Sequence, residues 1–337
     1  MADDIKYMRR ALQLAACGRQ GASPNPMVGA VIVSPSGRII GEGFHRRCGG
    51  PHAEVNAVRD VYSVYGQDAP QMLRESTIYV TLEPCAHYGK TPPCAKLLID
   101  EGVKRVVVGC VDPFSKVSGR GIAMLREAGA EVSVGVLERE CREINRRFFM
   151  AHTHRRPYVT LKWAQSADGY IDCVRGDGEP AYRFSTELGS TLVHRLRSLH
   201  DAIAAGSGTY LADKPRMNCR LWPGGHDPIR VVFDRRGRLS QEDADVILDC
   251  GSAELALADM YDRGITSVLV EGGATLLNAF LAAGLWAEIR VEVTPHELGA
   301  AGRVKAPVAP FVTRDGKVAE ASGIELVDEN VIYSYVC

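Results

Sequence analysis

The chain has 337 residues, room for two domains of ordinary size. A hydrophobic fraction of 46% with 24% charged residues excludes a disordered or low-complexity chain. A formal net charge of -1 provides no global basic field to draw the chain to nucleic acid or anionic lipid, and no uncharged apolar run is long enough to span a membrane.

Met1 to Gln20 is charged and helical in pattern rather than an apolar signal core. Asp3 or Asp4 caps a helix with Ile5, Met8, Leu12 and Ala15 on one face, and Gly18 ends it. Met27 to Val33 is an apolar, β-branched run. Pro35-Ser36-Gly37 turns the chain, and Arg38 to Ile40 begin the return strand. A helix over His52 to Arg59 turns Val55 and Val58 inward. Thr77 to Leu82 is a strand, and Pro93 opens a helix through Ile99 that Gly102 closes. Arg105 to Cys110 is a buried strand, Arg120 to Ala128 a helix ended by Gly129, and Glu131 to Gly135 another strand. This alternation predicts an α/β layered domain over residues 1–150. His152-Thr153-His154-Arg155-Arg156-Pro157 reads as a polar linker.

Beyond it a second α/β domain, residues 157–337, is expected. Its strands are Tyr158 to Ala164, Asp201 to Ala205, Ile229 to Phe233, Thr266 to Val270 and Glu288 to Val293. Its helices are Thr186 to Leu199 and Ala274 to Ala282, and Ser166-Ala167-Asp168-Gly169-Tyr170 is a turn. The ten cysteines show no disulfide-like rhythm and point to a reducing, cytoplasmic setting. Cys17, Cys110, Cys141, Cys173 and Cys250 fall beside apolar or element-end positions, as buried inert thiols do.

One constellation carries chemistry. His52-Ala53-Glu54 is followed by Pro84-Cys85 and Pro93-Cys94. One His with two Cys binds Zn²⁺ and leaves the fourth tetrahedral position open. Glu54, two residues past the His, is no ligand and suits a proton shuttle between a zinc-activated water and a leaving amine, the chemistry of hydrolytic deamination. His52 and Cys94 fall at helix starts, whose partial positive charge favours the thiolate, and Cys85 falls just past a strand end. The eight residues between Cys85 and Cys94 include His87, Gly89 and Lys90, and Lys90 suits a phosphate.

Several segments together resemble the bifunctional riboflavin-biosynthesis deaminase/reductase family. They are Pro24-Asn25-Pro26-Met27-Val28-Gly29, Gly43-Phe44-His45, Gly49-Gly50-Pro51-His52-Ala53-Glu54, Thr81-Leu82-Glu83-Pro84-Cys85-Ala86-His87 and Gly89-Lys90-Thr91-Pro92-Pro93-Cys94. Asp112-Pro113, Gly119-Arg120-Gly121 and Asn145-Arg146-Arg147-Phe148-Phe149 continue the likeness. The resemblance implies a cytidine-deaminase-like N-terminal domain with zinc on His52, Cys85 and Cys94, and Glu54 as the catalytic proton shuttle. Its substrate would be 2,5-diamino-6-(5-phosphoribosylamino)pyrimidin-4(3H)-one, contacted by Asn25, His45, Lys90 and Asp112. The family carries Asn two residues after the Asp that matches Asp112. This chain has Phe114 there, which implies weaker ribose or phosphate recognition or an altered substrate.

The second half resembles the family's dihydrofolate-reductase-like domain, which uses NADPH to reduce the ribosyl group. By that likeness Asp213 and Glu271 hold the ribose region and Arg197 and Arg220 its phosphate. Lys162, Ser166, Gly206, Thr209, Gly272 and Gly273 belong to the cofactor side, the glycine pair offering helix-start amides to a phosphate. Three departures bear on activity. Gly178-Glu179-Pro180 replaces the family's Gly-Glu-Ser. Lys214 stands beside Asp213 and would pair with it. The stretch between Phe233-Asp234 and Val270-Glu271-Gly272-Gly273 is about 30 residues short, the length of a strand-helix unit. Two alternatives therefore stand beside the deaminase plus reductase. One is a deaminase-only paralogue in a riboflavin-derived or azapteridine pathway with an inert scaffold as second domain. The other is a nucleic-acid base deaminase, against which the near-zero net charge counts. The resemblance further implies a homo-oligomer acting on a small phosphorylated pyrimidine, with no nucleic-acid or membrane partner.

Overall fold

In the computed structural model, residues 2–87, 92–113, 118–176 and 179–337 are described. Lys90, Phe114 and Gly178 lie outside them. The chain divides into two compact units, Met1–His154 and Arg155–Cys337.

The first unit runs α1 (Ala2–Ala16), β1 (Gly29–Val33), β2 (Ile39–Phe44), α2 (Ala53–Tyr65), α3 (Ala69–Glu75), β3 (Thr77–Leu82), α4 (Cys94–Asp100), β4 (Arg105–Cys110), α5 (Arg120–Glu127), β5 (Glu131–Val134), α6 (Glu138–Ile144) and α7 (Arg146–His154). Its five strands lie in the order β2-β1-β3-β4-β5. β1 is antiparallel to both its neighbours, while β3, β4 and β5 run parallel. Side chains alternate across a sheet, and here both faces are apolar. Ile32, Ile78, Val80, Val106 and Val108 meet residues of α2–α5, while Val31, Val33, Tyr79 and Val107 meet those of α1, α6 and α7.

The buried stripe of α1 is Tyr7, Met8, Ala11 and Ala15; Ile5, expected inward, is 36% exposed. α3 was not anticipated. His152, Thr153 and His154, read from sequence as linker, form the last turn of α7, where the His152 ring lies 4.4 Å from that of Phe148. Cys110 and Cys141 are buried and burial pushes both thiols up, Cys110 to about 12. Cys17, however, is exposed and Cys173 and Cys250 only half-buried, so those three are not inert core thiols.

The second unit comprises β6 (Tyr158–Gln165), β7 (Tyr170–Cys173), α8 (Glu187–Ser198), β8 (Ala202–Gly206), α9 (Ser207–Asp213), β9 (Ile229–Phe233), β10 (Val246–Leu248), α10 (Ala253–Asp262), β11 (Ser267–Val270), α11 (Ala274–Ala282), β12 (Glu288–Val293), β13 (Gly302–Lys305), β14 (Ala321–Val327) and β15 (Asn330–Val336). Eight of these strands form one sheet, β10-β9-β8-β11-β6-β12-β15-β14. It is parallel from β10 through β12 and closes with the antiparallel β12, β15 and β14. Leu161, Trp163, Val270, Phe280, Trp286 and Ile289 belong to its buried core. The shortened stretch after Phe233 still keeps a strand, β10, and a helix, α10. Among the described residues no helix is long and apolar enough to cross a membrane.

Two glycines set how closely α2 approaches the sheet. Gly41 and Gly43 alternate onto one face of β2, and a Cβ on Gly43 would sit 2.3 Å from the Ala53 carbonyl oxygen and 2.4 Å from the Ala57 nitrogen. The helix therefore rests on strand backbone. Replacing Gly43 with Ala must push α2 outward, and should cost about 1–3 kcal/mol, read as a lower midpoint in denaturant unfolding of the full chain.

Candidate functional site

β3 ends at Leu82, and Glu83, Pro84 and Cys85 follow at the carboxyl end of this central strand. Pro93 stands before the first turn of α4, whose first residue is Cys94, and the Cys94 N–H donates to Cys85 Sγ at 3.2 Å. His52 occupies the position preceding α2. Its Nδ1 lies 3.6 Å from Cys85 Sγ and 3.3 Å from Cys94 Sγ. The three donor atoms all fall within 4.8 Å of one another. One nitrogen and two sulfurs converging this closely fit a Zn²⁺ ion with a fourth position to spare.

The electrostatics agree. Hydrogen bonds, first from Cys94 and then from His52, draw the Cys85 thiol down to about 4, against the burial that raises it. The contact with Cys85 likewise raises His52. Glu54 is 3% exposed in the first turn of α2. Burial, followed by the charge of Cys85, lifts its carboxyl to about 7. A carboxyl that gains and loses its proton near neutrality suits acid–base work.

Around this cluster stand two of the expected substrate contacts. Asn25 Nδ2 lies 3.2 Å from His45 Nε2, and the His45 ring sits edge-on to His52 with centroids 5.4 Å apart. Burial lowers the His45 pKa, favouring the neutral ring. The segment bearing Asn25 is pinned by Asn145, a residue of the sequence likeness without an assigned role. Its amide accepts from Met27 N at 2.7 Å and donates to Met27 O at 2.8 Å. Asp112 sits where its N–H donates to Glu83 Oε2 at 3.3 Å.

The second unit holds a cavity of about 350 Å³ walled in part by Lys162, Thr209, Asp213, Glu271 and Gly273. Ser166, Gly206, Gly272, Arg197 and Arg220 are not among its walls. Ser166 closes the turn, its Oγ accepting from Tyr170 N at 2.9 Å. Gly206 precedes α9, and a Cβ on Gly272 would lie 2.9 Å from that of Ala205, so Gly272 serves close packing. Arg197 grips Glu271 with two hydrogen bonds of 2.8 and 2.6 Å and donates to Asn218 O. It is thus committed to a carboxylate rather than presented to a phosphate. Burial raises the Glu271 carboxyl, but the Arg197 charge holds it below its ordinary value. Arg220 is exposed and bonds Asn218 Oδ1. The cation paired with Asp213 is Arg175, at 2.6 Å, and not the adjoining Lys214; Arg175 also pairs with Asp172 at 3.2 Å.

Asp172, in the short β7, and Arg175, just past it, both on the cavity wall, escaped sequence reading because so short a strand shows no clear period.

The first unit's fold and site define a zinc-binding deaminase of the cytidine-deaminase type, joined to a second α/β domain with its own cavity. Residues 1–110 match the family model "Cytidine and deoxycytidylate deaminase zinc-binding region", and residues 157–322 match "RibD C-terminal domain". The chain is 34% identical over 378 positions to riboflavin biosynthesis protein RibD of Actinobacillus pleuropneumoniae, across 99% of this chain and 95% of that one. That alignment is longer than the 337 residues here, so the relative contains stretches without a counterpart in this chain. RibD of Escherichia coli (strain K12) is 36% identical over 345 positions, covering 89% and 90%. Among solved structures, Acinetobacter baumannii RibD (form 1) matches with a TM-score of 0.87 at 34% identity over 99% of both chains. A Thermotoga maritima diaminohydroxyphosphoribosylaminopyrimidine deaminase/5-amino-6-(5-phosphoribosylamino)uracil reductase matches at 0.82 and 35%, again over 99% of both. The chain belongs to the RibD family of riboflavin biosynthesis proteins.

A buried histidine near the second site gives a pH-dependent stability. Burial, then the charges of Arg197 and Arg220, lowers His194 from 6.5 to about 4. Between those values the unfolded chain binds a proton that the folded one refuses, so stability is lost as pH falls from 6.5 towards 4. Urea unfolding of the second unit's transition should weaken across that window, and less steeply in His194→Gln.

Proposed function

We propose that the chain carries out two consecutive steps of riboflavin biosynthesis. The first unit hydrolytically deaminates 2,5-diamino-6-(5-phosphoribosylamino)pyrimidin-4(3H)-one, and the second reduces the ribosyl group of the product with NADPH. The observation that carries this reading is the convergence of His52, Cys85 and Cys94 beside the buried carboxyl of Glu54.

Those three side chains would hold zinc, which when bound would supply Lewis acidity and a nucleophilic water at neutral pH. Glu54 accepts the proton released as the new C–O bond forms at the ring carbon, and returns it to the amine nitrogen as the C–N bond breaks, so that ammonia leaves. Asn25 and His45 orient the ring and its substituent, with Asp112 and Lys90 serving the ribosyl phosphate. In the second unit Lys162, Thr209 and Gly273 receive NADPH, and Asp213 and Glu271 the ribose. Arg197 acts here by fixing Glu271. The family match over residues 157–322 favours an active reductase, and no observation favours an inert scaffold or a nucleic-acid substrate. The protein works as a cytoplasmic homo-oligomer on a small phosphorylated pyrimidine, without nucleic-acid or membrane partners.

Glu54→Gln should retain zinc, measured by elemental analysis, and lose about 10²–10⁴-fold in ammonia release. Cys85→Ser should lose the metal as well. Wild-type turnover in Glu54→Gln would remove the proton shuttle from the scheme.

Product masses test the two-step reading. Deamination adds about one mass unit by exchanging NH for O, and reduction adds about two more with NADPH consumed. A product stopping after the first gain would refute the reductase assignment.

A further inference from the structure

We propose that Glu292 is the positioning residue that holds the Lys162 ammonium at the wall of the reductase cavity. The inference rests on reading the second unit as an NADPH-dependent reductase. Its ground is a buried polar cluster that the reaction scheme above does not use.

β12 reads Glu288-Ile289-Arg290-Val291-Glu292-Val293, a simple alternation that would send Glu292 to solvent with Glu288 and Arg290. The structure buries it instead, at 2% exposure. β12 lies parallel to β6, with Arg290 level with Lys162 and Glu292 level with Ala164. Glu292 is therefore diagonal to Lys162 on one sheet face, opposite the face that packs Leu161, Trp163 and Ile289 into the core. Its Oε2 lies 3.6 Å from Lys162 Nζ.

Every other contact of this carboxylate serves to fix it. Ser185, just before α8, donates its hydroxyl to Oε2 at 2.6 Å. Asn330, fully buried at the start of β15, donates Nδ2 to Oε1 at 2.8 Å and to Phe184 O at 3.0 Å. Gly189 of α8 comes so close that a Cβ there would sit 2.9 Å from Oε1. The segment entering α8 and the start of β15 thus clamp one carboxylate in place, and among the described residues the cation paired with it is Lys162.

Glu271, the carboxylate that lines the cavity with Lys162, is already gripped by Arg197. Glu292 is the buried carboxylate that pairs with the Lys162 ammonium, a residue only 8% exposed. At 3.6 Å the contact with Glu292 is an ion pair and not a hydrogen bond, so it spends none of the three donors of the ammonium. Lys162 lines a cavity that must take an anionic dinucleotide or a phosphorylated sugar. The tether selects one reach for a side chain with four rotatable bonds, and so its effect passes through Lys162 alone.

A double-mutant cycle on the full chain tests this, with wild type, Glu292→Gln, Lys162→Gln and the double variant. The readouts are reductase kcat and KM with 5-amino-6-(5-phosphoribosylamino)uracil and the NADPH dissociation constant. Ammonia release by the first unit in the same preparations reports their integrity. Glu292→Gln should lower reductase kcat/KM at least about tenfold when Lys162 is present, and less than about twofold when it is already Gln. Deamination should stay unchanged. Ser185→Ala, which keeps the charge but drops one fixing bond, should give a smaller loss with the same dependence on Lys162, and it carries the cycle if Glu292→Gln does not fold. Equal losses in both backgrounds, or an undiminished Glu292→Gln beside an impaired Lys162→Gln, would overturn the proposal. A wild type that consumes no NADPH with this substrate refutes the function reading instead, and the cycle is then decided by NADPH binding.

Discussion

The first unit turns on one carboxylate, that of Glu83, which lies 4% exposed between the end of β3 and the start of α5. It accepts from the N–H groups of Gly119 and Gly121 at 2.9 Å, and of Asp112 and Ile122 at 3.3 and 3.4 Å. α5 has no side-chain cap of its own, and Gly119 before it sits at φ 76°. Glu83 supplies from across the sheet the acceptor that helix starts require, and its charge complements their dipole. The contact is so close that Gly121 has no room for a side chain, since a Cβ would lie 1.9 Å from Pro84 O. Because Pro84 and Cys85 follow directly, the same carboxylate sets where a metal ligand stands and where Asp112, just past the end of β4, is held.

The two units solve opposite electrostatic problems. At the deaminase cluster burial leaves Glu54 with His52 as its cationic neighbour among the described side chains, and its proton affinity rises. His52, Cys85 and Cys94 would hold a divalent ion there, which would supply positive charge beside that carboxyl. The second unit neutralises its buried carboxylates with its own cations, Glu271 by Arg197 and Glu292 by Lys162. The first arrangement keeps a mobile proton. The second keeps fixed dipoles and charges around a space where a ligand binds.

Much of this was legible in the sequence where local chemistry decides the structure. Thr77–Leu82, Arg105–Cys110, Ile229–Phe233 and Ala274–Ala282 emerge with the bounds their apolar runs suggest, because buried parallel strands and core helices are largely apolar, and Glu288–Val293 emerges with the bounds of its alternation. His52, Cys85 and Cys94 were recognisable because metal binding restricts residue type. What escaped depends on tertiary contact. The short α3 has a proline near its start and too few turns to show a period. The last turn of α7 looked like linker because its residues are polar, although His152 packs on Phe148. Arg197 was read as a phosphate ligand, since nothing in sequence announces that Glu271, far along the chain, takes two of its three nitrogens. Glu292 was invisible for the same reason: alternation marks it for solvent, and only α8 and β15 bury it.

The pinning of Met27 by Asn145 bears on how the polypeptide matures on the ribosome. The partners are 118 positions apart, so the segment carrying Asn25 stays unfastened until nearly the whole first unit has been made. The second unit faces a harder schedule. Its first strand, β6, ends up between β11 and β12, both translated much later. Until they emerge, Tyr158–Gln165 is a nascent apolar strand with both edges open, the kind of segment that chaperones shield and that aggregates when left bare. Translation speed between residues 158 and 293 therefore becomes a determinant of yield, although no atom of either site changes.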